Sequence, residues 1–201
     1  MGLRTRRVGT FANTTASAWV ACLLLGFALA ATAAHSGALK VGDSVPDDLG
    51  RDAAGNRIHL SDYRGKLVIV TFWASWCGPC RKELPVLAAI QKNGTRDKIA
   101  IFAVNWQEST EQFRQIRRVL KDIDLTLVSD ASGRFGRQYG VNGIPHMVVI
   151  GRDGRIAALH VGYGEGEIPV LVDEINSLWN KPSEPECTEG CSRTGSAPQP
   201  P

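Results

Sequence analysis

Beyond its first few residues this chain has no surplus of charge of either sign. Lys and Arg number 23 against 20 Asp and Glu, and Arg4, Arg6 and Arg7 alone supply the net charge of +3. A neutral body with interspersed signs has no electrostatic footprint for an anionic lipid surface or for nucleic acid, so nucleic acid is excluded as a partner. No internal repeat is visible. No second well-placed cysteine pair accompanies the one CxxC, and a structural zinc needs four ligands, so no metal is expected, nor any other cofactor. A long apolar run is missing as well. The uncharged stretch Val8 to Ala34 is densely apolar only from Ala18 to Ala31, short of the roughly 20 residues that span a bilayer. Behind its basic start and ahead of Ala31-Thr32-Ala33, it reads as a secretory leader containing Cys22. An uncleaved anchor is the alternative, with Thr14 to Ser17 in the interface. Either way, the rest of the chain lies outside the cytoplasm, where disulfides persist.

What is present in strength is the stretch Thr71-Phe72-Trp73-Ala74-Ser75-Trp76-Cys77-Gly78-Pro79-Cys80. A continuous apolar, β-prone run from Leu67 to Trp73 leads into it, and a helix-type sequence leaves it. A CxxC at a strand-to-helix junction reads as a redox dithiol rather than a static bridge. The thiolate is the reactive form, and the unpaired N–H groups and positive dipole end of a helix stabilise it. Cys77 is expected at the first turn, facing solvent, with Cys80 about one turn on and covered. Pro79 suits that turn, where its missing N–H has no intrahelical partner. Such a pair acts in two steps: Cys77 attacks a partner disulfide, and Cys80 resolves the mixed disulfide.

The rest of the chain alternates strand and helix signals. Asp52 to Arg57 is turn chemistry between two short strands, the second being Arg57 to Leu60. The helix after Cys80 carries Leu84, Leu87, Ala88 and Ile90, contains Pro85, which should kink it, and stops at Lys92-Asn93-Gly94. Lys98 to Asn105 is the next strand, and Ser109-Thr110-Glu111-Gln112 opens a second helix as a capping box. A short strand (Leu125 to Val128) and a single helical turn (Phe135 to Tyr139) come next. Arg152-Asp153-Gly154 turns a hairpin between His146–Ile150 and Arg155–His160, and Ile168 to Trp179 closes as an amphipathic helix. This order gives an α/β class with a central mixed sheet flanked by helices. Residues 1–35 form the leader or anchor, 36–181 the domain and 182–201 a tail too rich in Pro, Ser, Glu and Gly to fold alone. The tail holds Cys187 and Cys191, for which a local bridge, a shuttle dithiol and a metal-binding loop stand open.

Trp76-Cys77-Gly78-Pro79-Cys80 resembles the active site of the thioredoxin superfamily. The strings Asp62 to Lys66 and Phe72 to Pro85 are similar to one branch, the extracytoplasmic, often membrane-anchored TlpA/ResA-type disulfide reductases. The resemblance runs from about Leu39 to Trp179. It implies a thioredoxin fold with an amino-terminal β-hairpin extension and thiol:disulfide oxidoreductase activity. It also implies protein disulfides as substrates and a membrane dithiol as electron donor. Oxidised CxxCH motifs of apocytochrome c, or cysteines of other secreted proteins, are the substrates it suggests. The same motif can run as an oxidase or isomerase, and a non-catalytic metal-binding module is the rival from another class.

The resemblance further implies a cis Ile144–Pro145 bond facing Cys77, which leaves the Ile144 backbone open for strand-like pairing with substrate. Many thioredoxins hold a buried acid six residues before the first Cys, where this chain has Thr71. Glu83 matches the branch's glutamate in Cys-x-x-x-Glu and shares a helix face with Cys80. It is expected to accept the proton of Cys80, with a pKa raised by burial. Trp76 is expected as a flat wall beside Cys77, with Gly78, Pro79 and Ile144 completing the substrate-binding surface, and Trp73 as core. His146 is either an imidazolium stabilising the Cys77 thiolate or a strand residue turned away. His59 and His160 read as surface or strand residues.

Overall fold

In the computed structural model of the chain, Gly2 and residues 39–94, 97–164, 166 and 168–181 are described. The leader with Cys22 and the tail with Cys187 and Cys191 lie outside the described residues. Among the described residues, no helix is long and apolar enough to cross a membrane.

Two short strands, β1 (Asp48–Arg51) and β2 (Arg57–His59), pair antiparallel as the expected amino-terminal hairpin. Leu60 does not extend β2 but begins a short 3-10 turn, Leu60–Tyr63, whose first N–H donates to the Asp47 carbonyl. Beyond it the chain builds a five-stranded mixed sheet. Its members are β3 (Leu67–Trp73), β4 (Ile99–Trp106), β5 (Thr126–Asp130), β6 (His146–Ile150) and β7 (Ile156–Val161), in the order β5-β4-β3-β6-β7. Strands β3, β4 and β5 run parallel, while β6 and β7 run antiparallel to their neighbours.

Every residue of the central strand β3 is buried, as a strand covered on both faces requires. Val68, Val70 and Phe72 enter one core with Leu49, Phe102, Tyr139 and Val148. Leu67 and Ile69 enter the other with Leu87, Ile101, Leu171 and Ile175. The hairpin backs onto the first core, where Gly50, at φ +95°, has no room for a side chain because the Phe135 ring stands there.

The helices are α1 (Gly78–Asn93), α2 (Thr110–Val119), α3 (Arg134–Gln138) and α4 (Ile168–Asn180). Helix α1 includes Pro85 within its span. Gly94 ends α1 in a right-handed conformation, φ −76°. Space there is tight: a Cβ would meet the end of the Ile99 side chain at 2.6 Å and the Ile90 carbonyl at 3.0 Å, so Ile99 would have to shift. Helix α2 starts with the expected capping box: Ser109 Oγ accepts from the Gln112 N–H, and the Gln112 side chain accepts from the Ser109 N–H.

Strand direction positions the site. Because β6 is antiparallel to β3, its first residue, His146, pairs with Phe72 near the end of β3. Pro145 is therefore set beside the strand end that delivers Cys77.

Candidate active site

Cys77 is the N-cap of α1, and its sulfur accepts a hydrogen bond from the Cys80 N–H at 3.2 Å. The two residues form a disulfide with Cα atoms 5.3 Å apart. Cys77 is 5% exposed and Cys80 1%. The expectation that Cys77 faces solvent needs correction, because in the disulfide both cysteines join a buried cluster with Trp73 and Leu84, with Ile144 packed against it. The Cys77 sulfur lies 3.8 Å from the Ile144 carbonyl oxygen. The Ile144–Pro145 bond is cis, and the Pro145 carbonyl is taken by the Gly162 N–H. Trp76, by contrast, is 67% exposed, and Pro79 is exposed with Gly78 half-buried. Trp73 is core.

Glu83 is 2% exposed. Its Oε1 accepts a hydrogen bond from Thr71 Oγ1 at 2.7 Å, so Glu83 from the helix meets the strand position where many thioredoxins carry an acid. Its Oε2 has no hydrogen-bond partner among the described residues. Burial pushes the carboxyl up to about 7, against the opposing influence of the Thr71 hydroxyl and the His160 charge. A carboxyl so poised takes and releases a proton near neutrality. With a dithiol–disulfide pair one turn away, the arrangement can couple thiol deprotonation to disulfide exchange.

A redoxin family model matches residues 40–175. The chain belongs to the redoxin family. It is 33% identical over 126 residues to thioredoxin-like protein YneN of Bacillus subtilis strain 168, across 62% of this chain and 73% of that protein. It is 31% identical over 121 residues to thiol-disulfide oxidoreductase ResA of the same organism, across 60% of this chain and 67% of ResA. Among solved structures, a candidate thiol:disulfide interchange protein DsbE from Chlorobium tepidum superposes with a TM-score of 0.64 at 31% identity, over 71% of this chain and 99% of that one. This redoxin is thus of the TlpA/ResA type, with the thioredoxin fold, and is a thiol:disulfide oxidoreductase.

One residue of the redoxin's site lies outside the sequence reading. Glu108, buried just after β4, accepts hydrogen bonds from the Ser75 N–H at 2.7 Å, the Ser75 hydroxyl, and the Asn105 side-chain amide at 2.6 Å. It thereby ties down the loop that enters the dithiol. The only signal for it was a carboxylate at the end of a strand, ahead of a capping box. His146 resolves to the second of its two readings. Its ring stands edge-on to Phe72, 6.2 Å between centroids, on the sheet face away from Glu83. Burial lowers its pKa, so at neutral pH it is an uncharged imidazole. Among the other histidines, His59 pairs with Asp47 at the surface, while His160 on β7 pairs with Glu174 on α4.

Proposed function

We propose that this redoxin works outside the cytoplasm as a reductase of protein disulfides. The observation that carries the reading is the buried Glu83 carboxyl, set on the helix face of Cys80, bonded to Thr71 and pushed up to about 7. In the reduced enzyme the Cys77 thiolate, stabilised by the first turn of α1, attacks one sulfur of the substrate disulfide. The other substrate sulfur leaves as a thiolate, and a mixed disulfide joins Cys77 to the substrate. The substrate strand pairs with the Ile144 backbone beside Pro145, and Trp76, Gly78 and Pro79 border the docking surface. Glu83 then takes the proton of Cys80. The Cys80 thiolate attacks the Cys77 sulfur and expels the second substrate thiolate. Two electrons have passed to the substrate, and the Cys77–Cys80 disulfide remains. A membrane dithiol donor returns two electrons to it.

Residues 1–35 as leader or anchor put the domain, residues 36–181, on the far side of the membrane, with 182–201 as an appended tail. Oxidised CxxCH motifs of apocytochrome c and disulfides of other secreted proteins are the substrates this arrangement fits. The test uses Cys80→Ser and a peptide carrying an oxidised CxxCH motif. A stable one-to-one adduct through Cys77 is expected. With Cys80 restored, reduced peptide is released, and Glu83→Gln slows that release at least about tenfold at neutral pH. No adduct, or an equal adduct with Cys77→Ser, contradicts the reading.

A further inference from the structure

Between β3 and α1 run Ala74, Ser75, Trp76 and Cys77. Ala74 is fully buried, and its carbonyl accepts the Cys77 N–H at 3.1 Å. Trp76, next to the reacting Cys77, is 67% exposed. An indole in water gains nothing from the fold, and a loose loop would let it settle on the nearest apolar surface. The loop is fixed at Ser75. Its N–H donates to Oε2 of Glu108 at 2.7 Å, and its hydroxyl donates to Oε1. Glu108 is buried in turn, and the amide of buried Asn105, on β4, donates to its Oε2 at 2.6 Å.

The backbone takes a strained path to bring Glu108 there. Gln107 has φ +57°, a left-handed conformation that non-glycine residues rarely adopt and that persists only where neighbours enforce it. The Gln107 N–H donates to the Asp130 carbonyl at 3.0 Å, and its side chain lies over Gly133, where a Cβ would come within 2.9 Å of Nε2. Gln107 is exposed and Glu108, the next residue, is buried. Both oxygens of Glu108 are taken by donors, so this carboxylate is not placed to move a proton at the dithiol. Glu83, whose Oε2 has no partner among the described residues, is the opposite case. What Glu108 holds is the backbone and hydroxyl of the residue before Trp76.

We propose that Glu108 is a positioning residue for the substrate: by fixing Ser75 it keeps the Trp76 indole outward as a preformed docking wall for apolar surface of a protein substrate. The proposal rests on the reading that the substrate docks beside Pro145 with Trp76 at its border. A tryptophan buried at an interface contributes strongly to affinity, and one held in place beforehand loses less freedom on docking. The effect falls on docking and not on the exchange between sulfurs.

The test uses the full chain, pre-reduced, with Cys22, Cys187 and Cys191 replaced by Ser. It is mixed with a rising excess of the peptide carrying an oxidised CxxCH motif, and formation of the Cys77–Cys80 disulfide is followed. The half-saturating concentration reads docking, and the limiting rate reads exchange. Glu108→Ala is expected to raise the half-saturating concentration about tenfold and to leave the limiting rate unchanged. Glu108→Gln, whose amide oxygen still accepts the Ser75 N–H, is expected to stay near the parent. Trp76→Ala should weaken docking as well, and adding Glu108→Ala to it should weaken docking no further. An independent further loss in the Trp76→Ala background overturns the proposal. So does a Glu108→Ala variant with a lower limiting rate and unchanged docking. Ser75→Ala, which removes one of the two ties, enters the same cycle if Glu108→Ala does not fold. A parent that leaves the peptide oxidised removes the reductase reading instead, and the cycle is then run with oxidised enzyme and reduced peptide.

Discussion

Glu83 ties the chemistry of the site to the stability of the fold. Its carboxyl, near 4.5 when unfolded, is pushed up to about 7 by burial. Between those values the folded protein keeps a proton that the unfolded chain has lost. The resulting stability is full below pH 4.5, falls as pH rises to about 7, and stays lost above that. Relative to Glu83→Gln, the parent should lose about 3 kcal/mol across this window. Urea unfolding of both proteins at several pH values checks it, and parallel curves would contradict a buried, titrating Glu83. The residues whose meaning lies in spacing along the chain were legible from sequence: Cys77, Cys80 and Glu83 follow one another on a single helix. The partner of His160 was not, because Glu174 comes from a distant element, the helix α4. His146 stayed ambiguous for the same reason, since only the pairing with Phe72 decides its face.

At the scale of the element, local rules held where a motif is self-contained. The capping box of α2 is one case, and Ser109→Ala should cost about 1 kcal/mol of stability in chemical denaturation. The apolar run of β3 and the Arg152-Asp153-Gly154 turn between β6 and β7 are others. Elements that depend on distant partners were less visible. Glu108 holds the Ser75 N–H across 33 positions of chain. Glu108→Ala leaves that donor without its carboxylate, at a cost of about 1–3 kcal/mol. Faster hydrogen exchange at the Ser75 amide should accompany the loss; unchanged exchange would mean the loop is held by other contacts. Gly136, in α3, packs so closely on the Trp106 indole that an added Cβ would overlap it. Gly136→Ala should therefore cost about 1–3 kcal/mol by overpacking, read as a lowered melting temperature. Nothing in the sequence around Gly136 signals this, because the ring that fills the space belongs to the end of β4.

For the whole molecule, the fold class was legible because strands and helices alternate and a hairpin precedes the closing helix. The antiparallel entry of β6 then carries Pro145 to the dithiol, so the site is a product of sheet order rather than of any one motif. The direction of electron flow is a property of the whole molecule too. It depends on how much the fold stabilises the thiolate of Cys77 relative to the disulfide. His146, uncharged and turned away, adds no cation that would favour the thiolate. The burial of both cysteines beside Trp73 and Leu84 likewise offers the thiolate little beyond the first turn of α1. A pair in this setting should resist reduction and give up electrons readily once reduced, as a reductase requires. The measurement that tests this most directly is the reduction potential of the Cys77–Cys80 pair. Cys22, Cys187 and Cys191 are replaced by Ser, and the protein is equilibrated against defined ratios of oxidised and reduced dithiothreitol. A value near that of thioredoxin, about −270 mV, is expected of a reductase supplied by a membrane donor. A value near that of the strongly oxidising periplasmic enzymes, about −120 mV, would contradict the reductase reading and make the protein a donor of disulfides.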